Sequence, residues 1–371
     1  MSIRPGSFLR TTLPLNLAAL PELDSGRYHS AWLPDHMVSF WPDSIWTPEF
    51  TDLAVNSPSP HRYLDSMTFA AAVAAQTKTI RLATCVVDTV RRHPAMLAQA
   101  AITIDHFAQG RFILGVGSGE MENCTPYGFD FSTPVSRFEE AVQVIRLLWE
   151  SDGPVDFDGR FYKLEHARLD IEPYNGRPPE LWVGCSGPRM LGITGRFADG
   201  WWPVGSYTPD DYAAQLGRVR EFAEKADRDP MAIETAAVVV CLLGDDEEEL
   251  QRIAEAPLVK SYILQTRGDY IRKFGYTHPF GDDWQGIHVL DPRKMTREII
   301  LDFLSKVDAR MVLDVVPNGT PKQMARRMKA YIDAGVQVPN FLDYGAMAGA
   351  QYAARSPAKV RQAEEELMRL L

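Results

Sequence analysis

Residues 30–42 read SAWLPDHMVSFWP, and the reading of this stretch decides the fold. An uncharged, strand-like run from Ser30 to Leu33 stops at Pro34. Asp35 and His36 follow at once, and the chain then turns aromatic with Phe40 and Trp41. Short runs of this kind fit strands buried on both faces, the kind that make parallel sheets covered by helices. A titratable pair at the C-terminal end of such a strand is a functional candidate, because barrel enzymes assemble their sites from those ends. The plainer reading has Asp35 capping a helix and His36 as a satisfied surface imidazole.

Working outward, seven more runs look alike: FLRTTL from Phe8, RLATCVVD from Arg81, FILGVGSG from Phe112, ELWVGCSG from Glu180, GWWPVG from Gly200, TAAVVVCLLG from Thr235 and VPNFLDYG from Val338. Helical periods separate them. In PVSRFEEAVQVIRLLWE, Val135, Phe138, Val142, Ile145 and Trp149 follow the spacing of one helix face, with Thr133 and Pro134 as the start signal. A second helix opens at Thr320 and Pro321, carries Met324, Met328 and Tyr331 or Ile332 on one face, and stops at Gly335. Parallel strands need helical crossovers, and eight of them close, so the pattern predicts one (β/α)8 TIM barrel spanning residues 1–371 as a single domain. Two connections exceed what a simple loop needs, about 37–62 and 245–319. The pattern places both as insertions over the C-terminal face.

The balance of the chain excludes several classes. Its formal net charge is −10, and no basic cluster is longer than a pair such as Arg91-Arg92, so nucleic acid is not an expected partner. Cys85, Cys124, Cys185 and Cys241 are scattered without CxxC spacing, which argues against a disulfide framework or zinc site and fits a reducing cytoplasm. The start MSIRPGSFLR lacks a long apolar core, and the longest apolar run, AAVVVCLL from Ala236, is too short to span a bilayer. No transmembrane segment is expected. No HExxH or His/Asp cluster calls for a metal, and no GxSxG for a serine hydrolase.

Two further constellations carry chemistry. In GRFILGVGSGEMEN a strand runs into Gly115, Gly117 and Gly119, which permit close backbone approach to a flat ligand, and Glu120 emerges at the same mouth as His36. The competing dinucleotide fingerprint lacks its third glycine at the right spacing and sits mid-chain. In WVGCSGPRML a strand is followed by Ser186, Gly187 and Pro188, then a helix whose first turn holds Arg189 and no carboxylate. That arrangement suits a phosphate, although a plain Ser-capped helix would read the same. Among the other histidines, His93 before Pro94 reads as structural, while His61, His278 and His288 fall in the insertions.

These three constellations, with CVVDTVRRHPAMLAQAA, PYG, RFEEA and GRFADGWW between them, resemble the bacterial luciferase-like barrel superfamily over nearly the whole chain, and within it the branch that uses the deazaflavin coenzyme F420. The resemblance implies that Asp35 contacts the deazaflavin head and that His36 is the acid/base, with Glu120 as the second proton-transfer group. It implies a non-proline cis peptide at Cys85-Val86 backing the ring. Ser118, Gly119 and Asn123 would line the ring and ribityl chain, and Ser186, Gly187, Arg189 and Met190 would hold the phosphate. Phe40 and Trp41 would form an aromatic substrate wall. Where sugar-phosphate dehydrogenases of this branch carry a basic residue after strand six, this chain has VGSYTP with Tyr207, which argues against a phosphorylated sugar. Homodimers are typical of the superfamily.

The reading that follows is an F420-dependent oxidoreductase, ketoreductase-like, moving hydride to or from a carbonyl or alcohol carbon of an apolar small molecule. Aromatic residues of the insertions, Trp46, Tyr63, Phe280 and Trp284 among them, would line its pocket, or would pack the insertions onto the barrel. Two rivals stay open: an FMN-dependent luciferase-like monooxygenase, and a barrel that binds deazaflavin without catalysis.

Overall fold

The structure, a computed structural model, describes residues 3–15, 17–203 and 208–371. Tyr207 lies outside the described residues. Each run singled out in the sequence forms a strand: β1 Ser7–Phe8, β2 Ser30–Leu33, β3 Arg81–Thr84, β4 Phe112–Gly117, β5 Glu180–Gly184, β6 Gly200–Trp202, β7 Glu234–Leu243 and β8 Val338–Asp343. Neighbours pair in parallel in that order. The two ends of the order meet where Gly6 N, just before β1, donates to Pro339 O in β8 at 3.0 Å. The architecture is the (β/α)8 barrel expected of alternating buried strands and helices.

The helices that flank the strands include α1 Ser66–Ala74, α2 Pro94–Ala108, α3 Pro134–Glu150, α4 Pro188–Phe197, α5 Pro209–Glu224, α6 Pro321–Asp333 and α7 Ala350–Leu370. In α3, Phe138, Val142, Ile145 and Trp149 are buried as their spacing predicts, and Val135 packs at the edge of the core. Thr133 stands at the N-cap of α3 but makes no side-chain cap bond. Thr320 and Gln323 close a reciprocal capping box on α6.

Alternation along the strands sorts the core into two layers. Ala31, Leu33, Leu82, Leu114, Leu181 and Val183 face the helices and join Leu97, Ile102, Phe138 and Ile145. The barrel interior takes one residue from each of β2 to β8: Trp32, Ala83, Ile113, Trp182, Trp202, Ala236 and Val338, with Phe8 of β1 against them. Trp32 lies 5.3 Å from Trp182 and 3.7 Å from Trp202 between ring centroids. Three indoles fit because Gly200 stands opposite Trp182 in register, where a Cβ would come within 2.1 Å of the Trp182 ring.

The strand starts are tied by charge. Arg81 pairs with Glu180 and, at 2.9 Å, with Glu234, which also meets His29 at 3.0 Å. At the other rim the two insertions pack on each other. Ile45, Ile263, Leu264 and Phe303 form a second buried cluster, with Phe40, Trp41, Trp46, Phe280 and Trp284 around it. Ser44 Oγ donates to Met295 O at 2.7 Å and Arg297 pairs with Glu49 at 2.5 Å. Among the described residues no helix is long and apolar enough to cross a membrane.

A pair of glycine substitutions tests this packing. Gly200→Ala drives a methyl into the Trp182 indole and should destabilise by about 1–3 kcal/mol. Gly217→Ala, within α5 where a Cβ meets nothing within 4 Å, should stabilise by about 0.5–1 kcal/mol. Urea denaturation of the two variants reads both signs.

Candidate active site

The sequence places Asp35-His36 just beyond β2, Cys85-Val86 beyond β3, Ser118 to Glu120 beyond β4 and Ser186 beyond β5, so all four segments emerge on the C-terminal rim. Asp35 and His36 part ways there. Asp35, only 5% exposed, accepts from Ser66 Oγ at 2.7 Å, from Arg91 Nη2 at 2.5 Å, and from Arg92 at 2.7 and 3.2 Å. Arg91 also grips Asp88, and Arg92 also grips Asp65, giving an alternating series Asp88, Arg91, Asp35, Arg92, Asp65. Burial alone would raise the Asp35 carboxyl, but Arg92, Arg91 and Ser66 outweigh it and hold the group below the usual carboxylate range.

His36 faces the mouth. Its Nδ1 lies 3.1 Å from Glu120 Oε2, with side-chain exposures of 16% and 28%. Burial works against a charged imidazole, yet the neighbouring Glu120 charge and hydrogen bond raise its pKa above the ordinary 6.5. Glu120 moves the opposite way: burial raises it, while His36 and Asn123 pull it below its ordinary value. The pair therefore favours imidazolium with carboxylate. Asn123 organises it. Its Oδ1 accepts from Met37 N at 2.6 Å and Val38 N at 2.9 Å, fixing the loop after His36, and its Nδ2 donates to Glu120 Oε2 at 2.9 Å. Phe40 and Tyr63 flank the His36 ring at 5.3 and 5.2 Å.

Next to this pair the rim offers a shaped seat. The Cys85-Val86 peptide is cis, as the resemblance implied. Val86 lies against two glycines, since a Cβ on Gly117 would come 2.7 Å from its Cγ2 and one on Gly184 2.9 Å from its Cγ1. Gly119 has φ +90°, a conformation other residues rarely adopt. Beyond β5, Gly187 is the N-cap of α4, no side chain caps the helix, and its first turn holds no acid. Ser186 thus leaves the N–H groups of α4 uncapped, which the Ser-capped alternative did not require. Met190 is buried, and the exposed Arg189 reaches across to Glu139 at 2.6 Å and Ser136 at 2.8 Å on α3.

Of the residues singled out in sequence, His36, Glu120, Asn123 and Phe40 are in direct contact. Trp41 instead turns toward Trp46 and Tyr344, at 6.0 and 5.8 Å. His93 accepts from Ala95 N at the start of α2, and His278 is buried between Ile263 O and Phe280 N. Tyr63, named among the pocket aromatics, lies against His36, and two features went unread: the partners of Asp35, and Glu122. Glu122 is fully buried beside Glu120, and burial with the Glu120 charge pushes its carboxyl up to about 9. Among the described residues no group of three or more His, Cys, Asp or Glu side chains is placed to hold a metal ion.

Removing one member of a buried ionic set strands the others. Asp35→Ala should cost about 3–5 kcal/mol in denaturant unfolding near neutral pH. Because the folded Asp35 carboxyl is depressed, its stabilisation is present above the ordinary value of 3.8 and is lost as pH falls through the depressed one, so variant and wild type converge only in strong acid. Separately, Glu120→Gln should lower the His36 pKa, seen as an acid-shifted titration of its ring resonances by NMR.

The family model described as luciferase-like monooxygenase matches residues 22–338. The chain is 36% identical over 337 residues to the phthiodiolone/phenolphthiodiolone dimycocerosates ketoreductase of Mycobacterium kansasii, covering 90% of each chain. It is 34% identical over 168 residues to the F420-dependent glucose-6-phosphate dehydrogenase of Nakamurella multipartita, covering 44% of this chain and 49% of that one. In fold it is similar to an F420-dependent secondary alcohol dehydrogenase in complex with an F420-acetone adduct, with a TM-score of 0.72 at 19% identity, over 100% of this chain and 98% of that one. With the family model spanning most of its length and a relative 36% identical over 90% of each chain, the chain belongs to the luciferase-like monooxygenase family.

Proposed function

We propose that the protein is an F420-dependent oxidoreductase that interconverts a carbonyl and an alcohol on an apolar small molecule, in the manner of a ketoreductase. The observation that carries this reading is the His36–Glu120 pair, joined through Asn123, beside a seat made of Val86 and bare glycine backbone. The names of the M. kansasii ketoreductase and of the F420-dependent relatives support it.

The residues present fit the coenzyme. Cys85 and Val86 offer an apolar rest for a flat ring, and Ser118, Gly119 and Asn123 border it. The uncapped start of α4, with Ser186, Gly187, Arg189 and Met190, supplies N–H donors and the positive end of a helix dipole for a phosphate. When bound, the coenzyme supplies or accepts the hydride at its deazaflavin carbon. His36 Nδ1 faces Glu120, so its Nε2 is the ring nitrogen left for substrate. In the reducing direction, the imidazolium donates that proton to the oxygen of the carbonyl as hydride reaches the carbon, and the alcohol forms. Glu120 holds the imidazolium in place and lowers the cost of its charge. Asp35 acts on the coenzyme site through the order it imposes on Arg91, Arg92 and the end of β2. Phe40 and Tyr63 wall the substrate side, and Trp41 backs that wall from within the insertion cluster. A homodimer in the cytoplasm completes the proposal.

Titrating the purified protein with coenzyme F420 and with FMN, followed by fluorescence quenching, tests the cofactor directly. Tight FMN binding with none for F420 overturns the reading in favour of flavin monooxygenation. His36→Ala should then lower turnover of a ketone by about 10²- to 10⁴-fold while F420 still binds. Undiminished turnover in that variant would remove His36 from the chemistry.

A further inference from the structure

Behind the proton-transfer pair lies an acid that the mechanism above does not use. Glu122 sits on the short helix Met121–Cys124 that Glu120 opens, and it is fully buried. One of its oxygens, Oε1, approaches the Asn123 amide at 3.5 Å, and the other, Oε2, has no hydrogen-bond partner. The same Asn123 Nδ2 is already engaged with Glu120 at 2.9 Å. Glu122 feels the charge of Glu120 from its own element, and those of Asp291 and Arg293 from the 245–319 insertion. Arg293 gives its guanidinium to Asp291 in two bonds of 2.8 Å, and Lys294 adds a third contact at 3.5 Å, so these cations are engaged by Asp291, and the Arg293 charge offsets only part of what burial and Glu120 do to Glu122. His36 and Arg91 act on Glu120.

We propose that Glu122 is a positioning residue for the proton-transfer pair: as a neutral carboxylic acid it confines the negative charge of this loop to Glu120, and its ionisation disables the pair. This rests on the function proposed above. A second carboxylate beside Asn123 would compete for the one amide that aligns Glu120, and that amide's oxygen also anchors Met37 and Val38. The buried environment keeps Glu122 protonated to about pH 9, so the site is set at neutral pH and lost in alkali.

The test compares wild type with Glu122→Gln, which keeps the volume and remains neutral at every pH. In ketone reduction with reduced F420, kcat of both proteins falls as His36 loses its proton, and beyond the Glu122 transition the wild type should fall about tenfold more per pH unit than the Gln variant. Two measurements need no coenzyme. Because the folded Glu122 pKa is raised, the folded state binds the proton that the unfolded chain releases. Wild type therefore loses stability as pH rises from 4.5 toward 9, and the melting temperature of the Gln variant should gain on it by a few degrees across that window. His36 ring resonances should show an inflection near pH 9 in wild type and none in the variant. Parallel melting curves and identical His36 titrations overturn the proposal, even where ketone reduction is intact. If the stability and NMR differences appear but F420 gives no turnover, Glu122 stands and the proposed reaction falls. Should the Gln variant fail to fold, the wild-type titration decides alone, because absence of its alkaline inflection overturns the proposal.

Discussion

Parallel strands are buried on both faces, so a barrel of eight must fill its own interior, and the rest of this molecule depends on how that is done. Here three indoles, Trp32, Trp182 and Trp202, occupy most of the space, with Ala83, Ala236 and Val338 making room for them. At the strand starts, Arg81 with Glu180 and Glu234 seals one rim with satisfied charge. Chemistry is thereby left to the other rim, where each strand releases its chain into a loop or an insertion.

How far this was legible in the sequence depends on the range of the interactions involved. Strands announce themselves through runs of uncharged residues, and helices through local caps and period, so the eight strands, the buried face of α3 and the Thr320 cap of α6 could all be read, while the return bond of Gln323 came only with the structure. His36 and Glu120 were legible as site candidates because strand ends in a barrel converge whatever the loops do, and Asn123 only through the family resemblance. The partners of Asp35 were not. Arg91 and Arg92 lie 56 and 57 residues away, and their sequence showed only two adjacent cations before a helix. Glu122 escaped for a related reason. Its burial is a tertiary property, and the charges it feels from Asp291 and Arg293 come from a distant segment, which no local pattern reports. The insertion aromatics divided along the same line: composition could not tell Phe40, against His36, from Trp41, which joins Trp46 and Tyr344.

Asn123 shows how few groups need to be fixed for the rim to be ordered. Its carbonyl takes two backbone N–H groups of the loop after β2, and its amide reaches the carboxylate after β4. One buried side chain thus sets the distance between segments that are 87 residues apart in His36 and Asn123. A hydrogen bond of this kind contributes about 1 kcal/mol to stability, but it also determines which nitrogen of His36 faces Glu120. Orientation, more than energy, is what the amide supplies.

The contrast between Asp35 and His36 follows from their being consecutive residues at one strand end. Successive side chains leave opposite faces, so one acid turns back into the wall and one base turns into the mouth. In the wall, three carboxylates and two guanidiniums alternate, and Asp35 is flanked on both sides by cations. In the mouth, a single carboxylate faces a single imidazole. Even from the wall the Asp35 charge favours the imidazolium, though less than Glu120 does. Arg91, which bears on His36 and Glu120 from the wall, works the other way by disfavouring the imidazolium. The wall therefore does more than hold the strand end in place: its Asp35 and Arg91 act in opposite directions on the His36 imidazolium.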